Sequence, residues 1–200
     1  MPWMPSGMSR LSKRTRNTLV FAASALVWLV VDRLTKALAD VGAPGTVLWP
    51  GIPGVFDLQL VHNTGAAWGL FAGNPAALGW VALVICAVVL VGGHLRRSTA
   101  SVPEMLGYAL ILAGGAGNAI DRFTNGYVVD FFNFDLIGFP VFNVADIGVV
   151  VGFVLVAIVL LALGAHEGVR AGEHAGERED VRKGETAVAH ETQADTRTDA

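Results

Sequence analysis

Four aspartates, Asp121, Asp130, Asp135 and Asp146, fall within the segment GGAGNAIDRFTNGYVVDFFNFDLIGFPVFNVAD, at or between the ends of two apolar runs. Ionisable groups in such places are costly against lipid, so function is their default reading. Two carboxylates activate a water directly when they share one proton, because like charges about 3 Å apart cannot both ionise. One then acts as base toward water while the other donates to a scissile carbonyl. Asp130, in YVVDFF, has no cation nearby and apolar neighbours that would raise its pKa. Asp146 stands at a predicted helix start, where the dipole and free amides favour negative charge. That difference of environment fits an acid and base pair, although Asp146 also reads as a plain helix N-cap. Asp121 is followed by Arg122 and preceded by Asn118 on the same helical face, the pattern of a structural anchor. Asp135, Asp57 and Asp40 read as solvated loop residues.

Other chemistries are unsupported. Ser6, Ser9, Ser12, Ser98 and Ser101 belong to the segments expected on the cytoplasmic side and Ser24 lies deep in an apolar run, which leaves no Ser-His or Ser-Lys hydrolase. His62 alone, with no HExxH pattern, does not make a zinc protease. Cys86 is the single cysteine and sits mid-way along an apolar run, so it reads as packing rather than as a disulfide or metal ligand. Gly114, Gly115 and Gly117 would suit a phosphate loop, but no Lys-Ser/Thr follows; they read instead as a site of close helix approach. No metal, no cofactor and no nucleic-acid partner is expected.

The elements that must position these groups are apolar. The chain is 53% hydrophobic and only 16% charged over 200 residues, the composition of a membrane protein. The net charge of −3 belongs to the end of the chain: residues 166–200 hold nine acidic and five basic side chains, while the rest is close to neutral. That tail is poor in apolar residues, and disorder is expected there. Residues 1–18, with Arg10, Lys13, Arg14 and Arg16 beside Pro2 and Pro5, are expected to lack fixed structure.

Four spans are expected. The first covers about 18–39; its basic flank and short apolar core also resemble a cleavable signal peptide, but Asp32, Arg33 and Lys36 extend the polar part beyond a cleavage region. Asp32 and Lys36, four apart, share a helical face and can pair. The second span runs from Ala76 to Gly93, the third over about 104–123, and the fourth from Asp146 to Ala165. Lysine and arginine occur before the first span, in the 94–103 loop and in the tail, and are absent from 42–73 and 125–145. This bias predicts both termini in the cytoplasm. It gathers Asp32, Lys36, Asn63, Asn118, Asp121, Arg122, Asp130, Asn143 and Asp146 at the outer face. Alternation from Phe56 to Leu60 predicts a strand, followed by a turn at Asn63–Gly65 and an apolar stretch with Trp68 and Phe71. A small sheet on the membrane surface is therefore expected, with a short aromatic loop between the third and fourth spans.

Taken in order, five motifs resemble the lipoprotein signal peptidase family, the aspartic type II signal peptidases, over about residues 20–165. They are DRLTK (Asp32, Lys36), HNTGAAWGLF (Asn63, Gly65, Ala66), GGAGNAIDR (Asn118, Asp121, Arg122), VVDFF (Asp130) and FNVAD (Asn143, Ala145, Asp146). The resemblance implies an all-α membrane peptidase domain over 19–165, with a small extracytoplasmic sheet and an Asp130–Asp146 catalytic dyad. Asn63, Asn118 and Asn143 would hold substrate or orient the dyad. Asp32, Lys36, Asp121, Arg122, Gly65 and Ala145 would support the structure, with Arg122 and Asp121 bracing the third helix. The implied substrate is a prolipoprotein with diacylglycerol on a cysteine, cut just before that cysteine. The enzyme would be a monomer in the cell (inner) membrane of a bacterial-type cell, with its site at the outer leaflet. Two rivals remain: a four-span transporter or channel with an acidic outer vestibule, and a non-catalytic membrane scaffold.

Overall fold

The computed structural model describes residues 11–66 and 73–164. The stretch with Trp68 and Phe71 and the acidic tail lie outside these. Helix α1 spans Lys13–Ala39, α2 Pro75–Arg96, α3 Val102–Thr124 and α4 Val144–Gly164. Between them run four strands, β1 Val47–Ile52, β2 Phe56–Asn63, β3 Val128–Phe134 and β4 Phe139–Phe142. By its contacts the chain divides after Val156. All the side chains that build the site precede that point.

Local chemistry sets the helix starts. Ser101 and Asn74 cap α3 and α2 by accepting from the backbone N–H three residues on, and each of these helices has proline in its first turn. In α1 the helix begins at Lys13, within the stretch expected to be unstructured. Ser12 caps it by accepting from Thr15 N–H at 3.1 Å, and the side chains of Lys13 and Asn17 reach carbonyls of the α2–α3 loop. Tertiary anchors thus extend the helix beyond what its polar sequence suggests.

Of the four spans expected, α1, α2 and α4 are long and apolar enough to cross a membrane. Their large apolar side chains, Leu26, Val84 and Phe153 among them, point away from the protein. Helix α3 is as long, but Glu104, Asn118 and Asp121 lie on its buried side. The reason is its position: α3 packs against α1 and α2, and against α4 through Gly107, Gly114 and Gly152. A Cβ at Gly107 would stand 2.8 Å from the Gly152 carbonyl oxygen, so the two backbones touch there. An inner helix meets side chains on most sides and can carry polar groups that lipid would exclude.

The aromatic loop expected between the last two helices is a pair of strands. β3 and β4 complete one antiparallel sheet in the order β1-β2-β3-β4. β2 and β3 come from different inter-helical segments, with Val61 opposite Asp130 and Asn63 opposite Val128. The strand predicted over Phe56–Leu60 extends to Asn63, and Leu60 is fully buried. Leu60, Val129, Phe131 and Val144 form, with Ala39, the apolar core joining the sheet to the ends of α1 and α4.

Candidate active site

Two carboxylates face one cavity of about 500 Å³, whose walls include Asn63, Asn118, Arg122, Asp130 and Asp146. Asp130 projects from β3 and is almost wholly buried. Its Oδ2 accepts from Asn63 Nδ2 at 2.9 Å and its Oδ1 from Asn143 Nδ2 at 2.6 Å. Burial pushes its pKa up to about 7, and the Asp146 charge adds to the rise; the Asn63 and Asn143 bonds and the Lys36 charge oppose it.

Asp146 sits in the first turn of α4 but is not its N-cap. That place is held by Asn143, whose Oδ1 accepts from Asp146 N–H at 3.1 Å while Asp146 Oδ2 accepts from Asn143 N–H at 3.1 Å. The reciprocal pair is a capping box. It occupies one carboxylate oxygen, and the other accepts from Asn118 Nδ2 at 2.8 Å. The plain N-cap reading of Asp146 is thus replaced by a side chain that both closes the helix end and lines the cavity.

Behind the cavity lies a buried charge cluster. Lys36 Nζ is 3.1 Å from Asp32 Oδ2, 2.9 Å from Asp121 Oδ2 and donates to Asn118 Oδ1 at 2.8 Å. All three charged groups are essentially inaccessible. Asn118 Oδ1 also accepts from Asn143 Nδ2 at 3.1 Å. Two donors on that oxygen fix the amide's orientation and turn its NH2 toward Asp146. Asp32 Oδ1 accepts from Ala145 N–H at 3.0 Å, so α1 supplies a carboxylate to the amide end of α4. Gly117 lies directly over Asp32 Oδ2, where a Cβ would collide. Ala145 is fully buried, and its carbonyl lies against Gly114.

The partnership expected between Asp121 and Arg122 does not form. Neighbouring residues on a helix point to different faces. Asp121 turns inward to Lys36 and to Arg33, which donates to its Oδ1. Arg122 instead faces the cavity and reaches the Gly65 carbonyl at 3.2 Å. Gly65 N–H donates to Asn63 Oδ1 at 2.9 Å, so the Asn63–Gly65 turn is held from both sides. Asp40 is not merely solvated either: its Oδ1 is 2.8 Å from His62 Nε2. Asp57 and Asp135 share the amide of Asn133, away from the cavity.

Two residues that sequence reasoning passed over take part. Arg33 is the second cation on Asp121. Its signal was only a charge near the end of an apolar helix, which must find a partner. Trp28 donates from Nε1 to the Val144 carbonyl at 3.2 Å and covers Gly148, seating the start of α4 on α1. An aromatic residue in a predicted span carries no local sign of that contact.

Residues 24–162 match the model of a family described as signal peptidase (SPase) II. A lipoprotein signal peptidase of Gloeobacter violaceus is 44% identical over 146 residues, covering 69% of this chain and 79% of the relative. One from a Nostoc species is 42% identical over 151 residues, covering 75% and 90%. A solved structure described as a bacterial membrane enzyme is 26% identical with a TM-score of 0.63, covering 78% of this chain and 93% of that one. These matches do not support the transporter reading.

Proposed function

The chain belongs to the signal peptidase II family and cleaves signal peptides from prolipoproteins, and we propose that it does so with Asp130 and Asp146 as a water-activating dyad. The observation that carries this reading is the convergence of both carboxylates on one cavity, bridged by Asn143. One proton serves the pair. In this reading Asp130, whose pKa burial raises to about 7, carries that proton and donates it to the scissile carbonyl. Asp146 takes a proton from the attacking water. When the amine leaves, the protons return through the same two groups.

The substrate must present an unwound segment, because a helical backbone keeps its carbonyls bonded internally. Arg122, which lines the cavity beside both aspartates, and Asn63 on its rim supply donors to that segment. The diacylglyceryl chains of the substrate stay in the bilayer while the bond before the modified cysteine enters the cavity. Helix α3 crosses as the third of four spans, both termini are cytoplasmic, and the sheet and the dyad lie at the outer leaflet. What supports this arrangement is the absence of lysine and arginine from residues 42–73 and 125–145 and their abundance at the opposite helix ends.

The test is cleavage of a lipid-modified precursor in proteoliposomes by the unaltered chain and by Asp130→Asn and Asp146→Asn. Cleavage by the former alone supports the dyad. Substantial turnover by either variant removes that carboxylate from the chemistry.

A further inference from the structure

At the end of the helices opposite the sheet, the first turn of α1 is fastened to the α2–α3 loop. Lys13 Nζ donates to the Thr99 carbonyl at 2.6 Å. The buried Asn17 amide donates to the carbonyls of Arg97 and Ala100 at 3.1 and 2.9 Å. These bonds hold Arg97 and Ser98 beside Arg14, and the three line a cavity of about 180 Å³ together with His94 and Leu95. Among the described residues, no carboxylate lines it. Glu104, the acidic group nearest in sequence, is already taken by Arg96, at 2.7 and 3.1 Å. Among the described residues, neither Arg14 nor Arg97 pairs with a carboxylate.

A second cavity of about 170 Å³ adjoins the first and shares His94 and Arg97 with it. Its other walls are mainly apolar: Phe21 of α1, Leu90 and Gly93 of α2, and Met105 of α3. It is a groove between α1 and α2 with α3 as its floor, and Gly93 keeps it open where a Cβ would stand 3.1 Å from the Phe21 ring. A basic cup thus sits over an apolar slot, between helices whose apolar faces meet lipid.

We infer that this end of the bundle binds an anionic phospholipid, its phosphate in the cup of Arg14, Arg97, His94 and Ser98 and the start of one acyl chain in the slot beneath. Guanidinium groups match phosphate oxygens in charge and in fork geometry. Basic pockets between spans on the cytoplasmic side are suited to anionic head groups. The site rests on the proposed topology only in that these helix ends reach the inner leaflet, and it is independent of the dyad.

The experiment counts lipid retained by the purified full chain in native mass spectrometry, with phosphatidylglycerol or phosphatidylcholine of identical chains. The expected result is preferential retention of phosphatidylglycerol. Each basic residue near an anionic surface accounts for about fivefold, so Arg14→Gln with Arg97→Gln should lower retention on the order of twentyfold. Ser98 is exposed, so Ser98→Glu should fold and repel the head group, whereas Ser98→Ala should retain it. Equal retention of the two lipids, or no loss in the double variant, overturns the site. Displacement by millimolar inorganic phosphate, with no need for acyl chains, assigns the cup to free phosphate and overturns the lipid. Binding seen only after removal of residues 166–200 makes that acidic segment the occupant, with the same consequence. Precursor cleavage by the same samples reports folding and separates failure here from failure of the catalytic reading.

Discussion

Asn143 donates from its side-chain amide to Asp130 at 2.6 Å, and the same residue caps the helix that carries Asp146. One side chain therefore touches both members of the proposed dyad through groups that cannot rotate independently. The helix cap thereby ties the position of Asp130 to the start of α4. Preorganisation of this kind avoids reordering of donors during the reaction.

The dyad gives the first prediction. Asp130→Asn and Asp146→Asn each lose a proton-transfer group, and such groups contribute about 10²- to 10⁴-fold. The expected outcome is a fall in kcat of at least that order, with precursor binding retained. Single-turnover cleavage together with a pull-down of uncleaved precursor checks both halves.

Acidity gives the second. Asp130 must be protonated to donate, and burial raises its pKa to about 7. Cleavage should therefore decline as pH rises through about 7. The Asn63 bond favours the ionised form and holds that pKa down. In Asn63→Ala the pKa rises further, and the alkaline limb of kcat/KM should move to higher pH. A limb that stays in place, or moves down, would detach Asn63 from Asp130 titration.

The buried cluster gives the third. Asp121→Ala removes the shared partner of Lys36 and Arg33, and Asp32→Ala removes the other carboxylate on Lys36 along with the acceptor for Ala145 N–H. Breaking a buried pair costs about 3–5 kcal/mol. Both variants should give less folded protein, as read by thermal unfolding in detergent, with smaller losses in rate per folded molecule. An Asp121→Ala protein of unaltered stability but without activity would move Asp121 into the chemistry.

The acidic end of the chain gives the fourth. Deleting residues 170–200 should leave the cleavage rate unchanged within about tenfold, which is roughly 1.4 kcal/mol of barrier. The deletion leaves every residue of Val144–Gly164 in place. Its composition offers little apolar surface to offset an ordering cost of about 1–2 kcal/mol per residue. Initial rates at equal folded concentration test this, and a larger drop would give the tail a part in turnover.

The sequence by itself determined the apolar runs, because a span of about 20 residues without charge leaves few alternatives. It also singled out Asp130 and Asp146 as the proposed reacting pair, since both stand in motifs that can be read locally. The limits of α2 and the start of α4 follow closely from the same runs. Tertiary structure decided the partners. Asp121 sits next to Arg122 in the chain, yet its cations are Lys36 and Arg33 of another helix, because the turn of α3 separates neighbours by about 100° and the packing of α1 chooses which face is met. The strand character of residues 128–134 was equally hidden. Phe131, Phe132 and Phe134 read as an aromatic loop until β2, more than 60 residues earlier, supplies the backbone partners. The inner position of α3 was decided in the same way: the helices around it make Glu104, Asn118 and Asp121 tolerable, since a buried polar group is stable only where a partner meets it, and here Arg96 of α2 and Lys36 and Arg33 of α1 supply partners.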